Sequence, residues 1–442
     1  MDDASITTPK RTLQFPNILL LDGGISTHLE QKLNHGNNDK DKSSPFSHRE
    51  LWSSSLLLTP EGRQEILNGH LDFLDAGCDV ISTVTYQLSH HLCKPPSEET
   101  KASDEKEKGN ELSKVSTNEV SNEPCTDNHW TEANVNRYLR IACGIAQEAL
   151  RLHRSSRPDE PKRGGYIMAS IGCYGGALAD GSEYTGSYGD LSFENLKAFH
   201  QKRLQVFMDV NMENDVEVSK DINMTFDVGD STLSLETPSC VPIITFETIP
   251  CRFEVEAILS VLKECRKTFT GSNISCSKKQ IWLSLSCRDG ERLNDGTPIQ
   301  SILDILDEND PDSNLIQGIG VNCVALKHVQ TLVEKIMIHE LDCKTNRTII
   351  FYPNSGEEWD AANEQWCEGT GCTDPGKFAE TLLKCLISEH RLCQLRNHTT
   401  CRHPPMPLAL GGCCRTTPET IAALRCIIDN HISKRHTSQP SE

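Results

Sequence analysis

The sequence predicts an α/β fold, a (β/α)8 TIM barrel with long acidic loop insertions. Three observations carry this. Eight short apolar runs recur along the 442 residues, helical patterns stand between them, and the stretches that break the alternation are polar and without repeats. Runs that are apolar almost throughout suit strands buried on both faces, as in a parallel sheet. An open doubly wound sheet shares the alternation but usually has fewer strands.

In chain order the runs are Asn17–Gly24, Cys78–Tyr86, Tyr166–Cys173, Pro242–Ile249, Ile281–Cys287, Gly318–Cys323, Thr348–Asn354 and Leu408–Cys414. Pro60–Gly77 reads as a helix, with Ile66, Leu67, Leu71 and Leu74 on one face and Gly77 as its stop. Trp130–His153 and Asp190–Met208 repeat the pattern, and Glu254–Cys265 and Val324–His339 follow the next strands. The last helix has the clearest start: Thr417 can cap it, Pro418 fits its first turn, and Ile421, Leu424, Ile427 and Ile428 form its apolar face. The whole chain, 1–442, is expected to be one barrel domain. Its insertions, approximately 92–129, 209–240 and 393–405, are expected to be flexible because they lack apolar periodicity.

The net charge of −19 disfavours a nucleic-acid partner, which needs clustered Lys and Arg to replace counterions, and disfavours docking to anionic lipid. Much of that charge is local. Residues 98–123 hold eight acids and four bases, and residues 209–236 hold eight acids and one base, so these two segments carry −11 of it. Deleting 98–123 is therefore expected to leave activity largely intact. No run of about 18 apolar residues is present, so no membrane span is expected. The opening MDDASITTPKR has no apolar signal region, which points to a cytoplasmic protein whose 20 cysteines are reduced.

Active sites of such barrels sit at the C-terminal strand ends. Those ends read Asp22-Gly23-Gly24, Thr83 to Tyr86, Cys173 to Gly176, Glu247-Thr248, Arg288-Asp289, Asn322-Cys323, Asn354-Ser355-Gly356 and Gly411-Gly412-Cys413-Cys414. They are polar, glycine-rich and thiol-bearing. Cys323 closes the sixth strand and Cys413-Cys414 the eighth, next-but-one neighbours around a barrel, so the three sulfurs can converge. Three protein ligands with a fourth position left for substrate is one zinc arrangement. Buried reduced thiols fit the same spacing, which matches no paired zinc-finger pattern.

The chain resembles the homocysteine S-methyltransferase family nearly end to end. The segments that carry the resemblance are LLLDGGISTHLE, LWSSSLLLTPE, HLDFLDAGCDVISTVTYQ, ADGSEYTGSYG, FETIP, SLSCRDGERLNDGTPI, GIGVNC, YPNSGEEWD and GGCCRTTPETIAAL. ADGSEYTG, RDGERLNDGTP and YPNSGE are similar to the subgroup that uses S-methylmethionine or S-adenosylmethionine. The resemblance implies that Cys323, Cys413 and Cys414 bind Zn2+. It implies that Asp22, with the backbone of Gly23, lies in the homocysteine loop, that Glu247 holds the homocysteine amino group, and that Thr83 contacts substrate. At Cys173 the chain has Cys where Pro is common in the family. The implied reaction moves a methyl group from a sulfonium donor to the zinc-bound thiolate of L-homocysteine and forms methionine. A free thiol is only a few per cent ionised at neutral pH, and coordination to zinc removes its proton.

Alternatives from other classes are a non-catalytic homocysteine- or zinc-binding regulator, against which the intact Asp22, Glu247 and three cysteines argue, and a same-fold enzyme using betaine or another thiol acceptor. Asp180, Glu183 and Tyr184 read as substrate contacts or as loop-folding groups, and Arg288 with Asp289 as a structural pair. Cys393, His398, Cys401 and His403 could form a second zinc site but lie in a segment that reads as an insertion. Cys367 and Cys372 read as incidental, and His35, His48 and His70 as surface or packing residues.

Overall fold

A computed structural model describes residues 18–34, 51–93, 130–157, 165–210, 241–269, 279–360, 365–367, 369–396 and 407–437. Most of the three expected insertions lies outside the described residues, as do His35, His48, His398, Cys401 and His403 and the side chain of Cys393.

The barrel strands are β1 (Ile18–Leu20), β2 (Val80–Ser82), β3 (Tyr166–Gly172), β4 (Ile243–Ile249), β5 (Gln280–Leu285), β6 (Gly318–Ala325), β7 (Thr348–Asn354) and, after a small antiparallel hairpin of β8 (Glu358–Asp360) and β9 (Gln365–Cys367), β10 (Leu408–Leu410). All eight are parallel, in the order β1-β10-β7-β6-β5-β4-β3-β2. The two ends of that order meet at a parallel bridge between Leu21 and Val80. There Asp79 N–H donates to Leu20 O at 2.6 Å and Asp22 N–H to Val80 O at 3.0 Å. The Asp79 carboxylate accepts from Leu20 N–H at 2.8 Å, which ties the seam from the side.

Helices α1 (Ile25–Asn34) and α2 (Pro60–Asp75) follow β1, and α3 (Glu132–Ser156) follows β2. A short α4 (Tyr174–Leu178) precedes α5 (Phe193–Asp209); α6 (Arg252–Phe269), α7 (Ile299–Asn309), α8 (Leu326–Asp342), α9 (Pro375–Arg396) and α10 (Pro418–Thr437) complete the ring. Gly77 stops the α2 segment as expected, at φ +92°. At the start of α10 the Thr420 Oγ1 accepts from Thr417 N–H at 3.3 Å, and the Thr417 side chain bonds the Glu419 carboxylate.

Side chains alternate along each strand, one set inward and the next outward. Leu19, Leu21, Val80, Met168, Ile243, Trp282, Ile350, Tyr352 and Ala409 fill the barrel interior. Leu20, Ile81, Ile167, Ile244, Leu283, Ile319, Ile349 and Leu410 face the helices, in the larger cluster. Trp282 is fully buried because its neighbour in register is Gly318, where a Cβ would stand 2.6 Å from the indole. The interior is thus a packed layer that supports the strand ends from below. No helix among the described residues is long and apolar enough to cross a membrane.

Three strands end four residues sooner than the apolar runs suggest. β1, β2 and β10 are three residues each, because Asp22-Gly23-Gly24, the Thr83 segment and Gly411 to Cys414 leave the ladder for the rim. α1, α4, α7, α9 and the β8–β9 hairpin were not marked by the sequence pattern.

Candidate functional site

β6 and β10 both flank β7, so Cys323 at the end of one and Cys413-Cys414 after the other face each other across a single strand. The three Sγ atoms all lie within 4.8 Å of one another, Cys323 and Cys414 at 4.0 Å. A tetrahedral ion with metal–sulfur bonds of about 2.3 Å spaces its sulfurs by roughly 3.8 Å, so the cluster fits one. Proton sharing points the same way. Cys413 is held well below the usual thiol range by hydrogen bonds from Cys323 and Cys414. Cys323 is pushed well up by its bonds to Cys413 and Cys414. For Cys414, the bond with Cys323 is outweighed by Cys413 and burial, and its pKa rises too. Among themselves the three stabilise one thiolate; removing all three protons needs a cation.

The backbone is bent to aim these sulfurs. Cys323 sits at φ +49° where the β6–β7 register shifts between Asn322 and Ala325. On the other side of β5, Thr248, at φ +60°, sits in the matching irregularity of β4. One fully buried side chain joins them: Asn322 Oδ1 accepts from Thr248 N–H and Asn322 Nδ2 donates to Thr248 Oγ1, both at 2.8 Å. Left-handed backbone at non-glycine residues costs about 1–3 kcal/mol each and persists only where neighbours impose it. Asn322 is that neighbour.

The second thiol loop is stitched to its surroundings by backbone. Gly412 N–H donates to Asp22 O at 3.1 Å and Cys413 N–H to Pro353 O at 2.8 Å, while Ser355 N–H donates to Cys414 O at 3.2 Å. Thr416 Oγ1 donates to Cys413 O at 2.7 Å. The approach requires glycine: a Cβ on Gly24 would stand 2.5 Å from Cys413 O, and one on Gly412 would stand 2.1 Å from Thr416 Oγ1. Arg415 locks the loop to the end of β7 through the buried Glu357, Nε to Oε2 at 2.7 Å.

Two carboxylates border the thiols. Asp22 is buried and accepts from Ser82 N–H at 2.7 Å and Ser82 Oγ at 2.8 Å. Glu247, almost buried, accepts from Ser170 Oγ and, at 3.0 Å, from the Tyr352 hydroxyl. Burial raises both to about 7 against the pull of those donors, and the charge of Cys413 adds to the rise. Each also feels Cys413 and Glu247 feels Asp22, so the pair and the thiols form one negative pocket that a cationic ligand would relieve. Gly23 lies where a Cβ would meet Phe73 at 2.7 Å.

Thr83 is buried one step behind Glu247. Its Oγ1 accepts from Ser170 N–H at 3.0 Å and pairs with Thr85 Oγ1 at 2.7 Å. Because Thr85 donates to Ser170 O at 2.8 Å, the Thr83 proton goes to Thr85, which leaves Thr83 one lone pair.

Among the other expected groups, Asp180 accepts from Ser182 N–H at 2.9 Å, a loop-folding bond, and Glu183 O accepts from Asn294 at 2.7 Å while burial raises its carboxyl. Tyr184, 62 % exposed, lies near the thiols: after burial, the charges of Cys414, Glu183, Cys323 and Cys413 push its hydroxyl up. Asp289 takes Arg292 as its close partner at 2.9 Å and stands 3.9 Å from Arg288, so the pair expected between neighbours forms one turn along instead. Cys173 caps α4, its Sγ accepting from Gly176 N–H at 3.2 Å. His70 is fully buried and desolvation lowers its pKa to about 4, which makes it a neutral packing residue.

Sequence reasoning missed Ser82, Ser170, Thr248, Asn322 as a brace, Tyr352 and Glu357. Tyr352 and Glu357 lie in YPNSGEEWD and Thr248 in FETIP, so position beside a singled-out residue was the available signal.

Comparison with known proteins agrees in extent. The family model for homocysteine S-methyltransferase matches residues 19–428. Homocysteine S-methyltransferase 2 of Arabidopsis thaliana is 30 % identical over 410 residues, covering 92 % of this chain and 91 % of its own. Homocysteine S-methyltransferase YbgG of Bacillus subtilis is 28 % identical over 411 residues, covering 91 % and 92 %. The selenocysteine Se-methyltransferase of Brassica oleracea var. italica is 29 % identical over 414 residues, covering 92 % and 87 %. The crystal structure of the Escherichia coli homocysteine methyltransferase MmuM in metallated form superposes with a TM-score of 0.55 at 23 % identity, covering 93 % of this chain and 96 % of that one, a likeness of fold.

Proposed function

Because this chain belongs to the homocysteine S-methyltransferase family, we propose that it transfers a methyl group from a sulfonium donor, S-methylmethionine or S-adenosylmethionine, to the thiol of L-homocysteine, forming methionine. The observation that carries the reading is the convergence of Cys323, Cys413 and Cys414 within 4.8 Å beside two buried carboxylates. The three thiolates would hold a zinc ion, which when bound keeps a thiol ligand deprotonated at neutral pH.

The chain's own residues supply position and field. Asp22 and Glu247 take the homocysteine ammonium, and the spare lone pair of Thr83 is available to the same group. Ser82 fixes Asp22 while Ser170 and Tyr352 fix Glu247, so neither carboxylate needs to reorganise when the amino acid arrives. The pocket's surplus negative charge draws in the sulfonium, which loses its charge as the methyl group leaves. Asn322 and Thr248 hold the backbone that aims Cys323.

A donor panel on purified protein tests this, with zinc measured alongside. Methionine formation from homocysteine and S-methylmethionine, lost in Cys413→Ala together with about one zinc per chain, is the expected result. A wild-type protein that binds no zinc and transfers no methyl group from either sulfonium would overturn it. Selenocysteine belongs in the acceptor panel, since one relative carries that name.

A further inference from the structure

Among the described residues a second group of metal-ligating side chains lies apart from the thiol cluster: Asp307, His339 and Cys343. Asp307 is in the last turn of α7, His339 in the last turn of α8, and Cys343 is the residue that ends α8. In a parallel barrel the helices end where the next strands begin, so this group sits at the base, opposite the strand ends that carry Cys323 and Cys413.

Its geometry is that of a ligand set. Asp307 Oδ2 lies 3.0 Å from His339 Nε2 and 2.9 Å from Cys343 Sγ, and Sγ lies 3.8 Å from Nε2. A tetrahedral zinc ion separates nitrogen, oxygen and sulfur ligands by roughly 3.3–3.8 Å, so all three reach one ion with shifts of a few tenths of an ångström. His339 and Cys343 are four apart, one helical turn, so both project from the same side of α8. The Gln300 amide nitrogen stands 3.1 Å from His339 Nδ1 and donates to Asp304 Oδ1 at 2.9 Å, which places the imidazole from its far side.

The field favours a cation. Arg347 is the nearby guanidinium, 3.9 Å from Asp307 Oδ1, but it lies between Glu340 at 3.3 Å and Asp310 at 3.6 Å. Three carboxylates therefore share one guanidinium, and Asp342 adds a fourth acid next to Cys343. The negative ends of the α7 and α8 dipoles converge on the same point. Cys343 is exposed, so an ion has a path in.

We propose that Asp307, His339 and Cys343 form a peripheral site for a divalent transition metal of borderline softness, zinc above all, that pins the C-terminal ends of α7 and α8 together. Binding exchanges the Cys343 thiol proton for the metal. The carboxylate and thiolate then balance the two positive charges, imidazole is the third ligand, and water fills the fourth position.

The test is metal stoichiometry on the full chain, reduced, stripped with chelator, reloaded with zinc and gel-filtered so that weakly held metal is lost. Wild type is expected to retain two equivalents, Cys343→Ser and His339→Gln one each, and Cys413→Ser the other one. Cys343→Ser keeps its methyl transfer. If the thiol cluster holds no zinc, wild type retains one equivalent that Cys343→Ser removes, so this site and the active-site reading stand or fall separately. Cobalt gives a second readout: Cys413→Ser protein should show a sulfur-to-cobalt charge-transfer band that Cys343→Ser added to it abolishes. Equal zinc content in wild type and Cys343→Ser, or a cobalt band indifferent to Cys343, would overturn the proposal.

Discussion

Replacing Asn322 with alanine tests whether one buried amide holds the bent backbone on which the thiol cluster depends. The change removes two 2.8 Å hydrogen bonds at a fully buried side chain, leaves the Thr248 N–H without its acceptor, and also removes the Nδ2 donor 4.0 Å from Cys413 Sγ. An orphaned buried donor costs about 1–3 kcal/mol and each net hydrogen bond about 1 kcal/mol. The loss is therefore roughly 2–4 kcal/mol if the backbone stays as it is. Thr248 at φ +60° and Cys323 at φ +49° can also relax once the brace is gone, which recovers part of that energy by moving the Cys323 sulfur. The two outcomes trade off: stability is lost if the geometry stays, metal affinity if it relaxes. Groups that orient metal ligands typically contribute 10–100-fold to affinity. Urea unfolding of metal-free protein and a chelator competition for zinc, run on the same preparations, measure both. A variant unchanged within about 0.5 kcal/mol in stability and within about threefold in zinc affinity would refute the reasoning, since it would leave two non-glycine residues in left-handed backbone with nothing imposing it.

Three further predictions rest on other parts of the molecule. Asp22 and Glu247, raised to about 7, keep protons in the folded chain that the unfolded chain releases near pH 4, so their contribution to the stability of ligand-free protein is full below about pH 4 and lost as pH rises through 7. Methionine, which has the ammonium but no thiol, should accordingly bind more tightly as pH rises through 7 and displace protons detectable by calorimetry in buffers of different ionisation enthalpy; affinity flat across that range would contradict the carboxylate assignment. Gly320→Ala places a Cβ 1.8 Å from Ile350 O, a backbone clash between β6 and β7, and should abolish soluble folded protein; a soluble variant with an unchanged melting temperature would show that the strands can part there cheaply. Arg347→Met strands Glu340 and Asp310 in the interior without a cation and should cost about 3–5 kcal/mol in urea unfolding, with kcat of the folded fraction unaltered.

The barrel was legible because its strands are buried on both faces, which writes them as nearly unbroken apolar runs. Thr348–Asn354 matches the structure residue for residue. The runs at Asn17–Gly24 and Leu408–Cys414 extend past their strands because they include the polar, glycine-rich ends Asp22-Gly23-Gly24 and Gly411 to Cys414, where the backbone turns out of the ladder. α7 escaped notice despite its apolar face, since a helix of eleven residues between two turn-rich loops offers few repeats of the period. Cysteine ends four of the eight apolar runs, so spacing alone did not single out Cys323, Cys413 and Cys414; the resemblance carried by GIGVNC and GGCCRTTPETIAAL did. Asn322 did not stand out, because nothing in one sequence says that a strand-end amide reaches past β5 to residue 248, and Thr83 could be named but not its commitment to Thr85 and Ser170.

The loop of Gly411 to Arg415 touches every part of the rim that closes the circle: Asp22 from the first strand, Pro353 and Ser355 from the seventh, Thr27 from the first helix. Cys323 and Cys414 are 91 residues apart, and Gly24 and Thr416 are 392 apart. A partly folded chain, however much local helix it has formed, therefore keeps Cys323 apart from the adjacent pair Cys413 and Cys414. The three-sulfur centre comes into being when β10 takes its place beside β7, so the docking of the last strand also arms the barrel. Until then Cys323 shares neither a proton nor a cation with the pair.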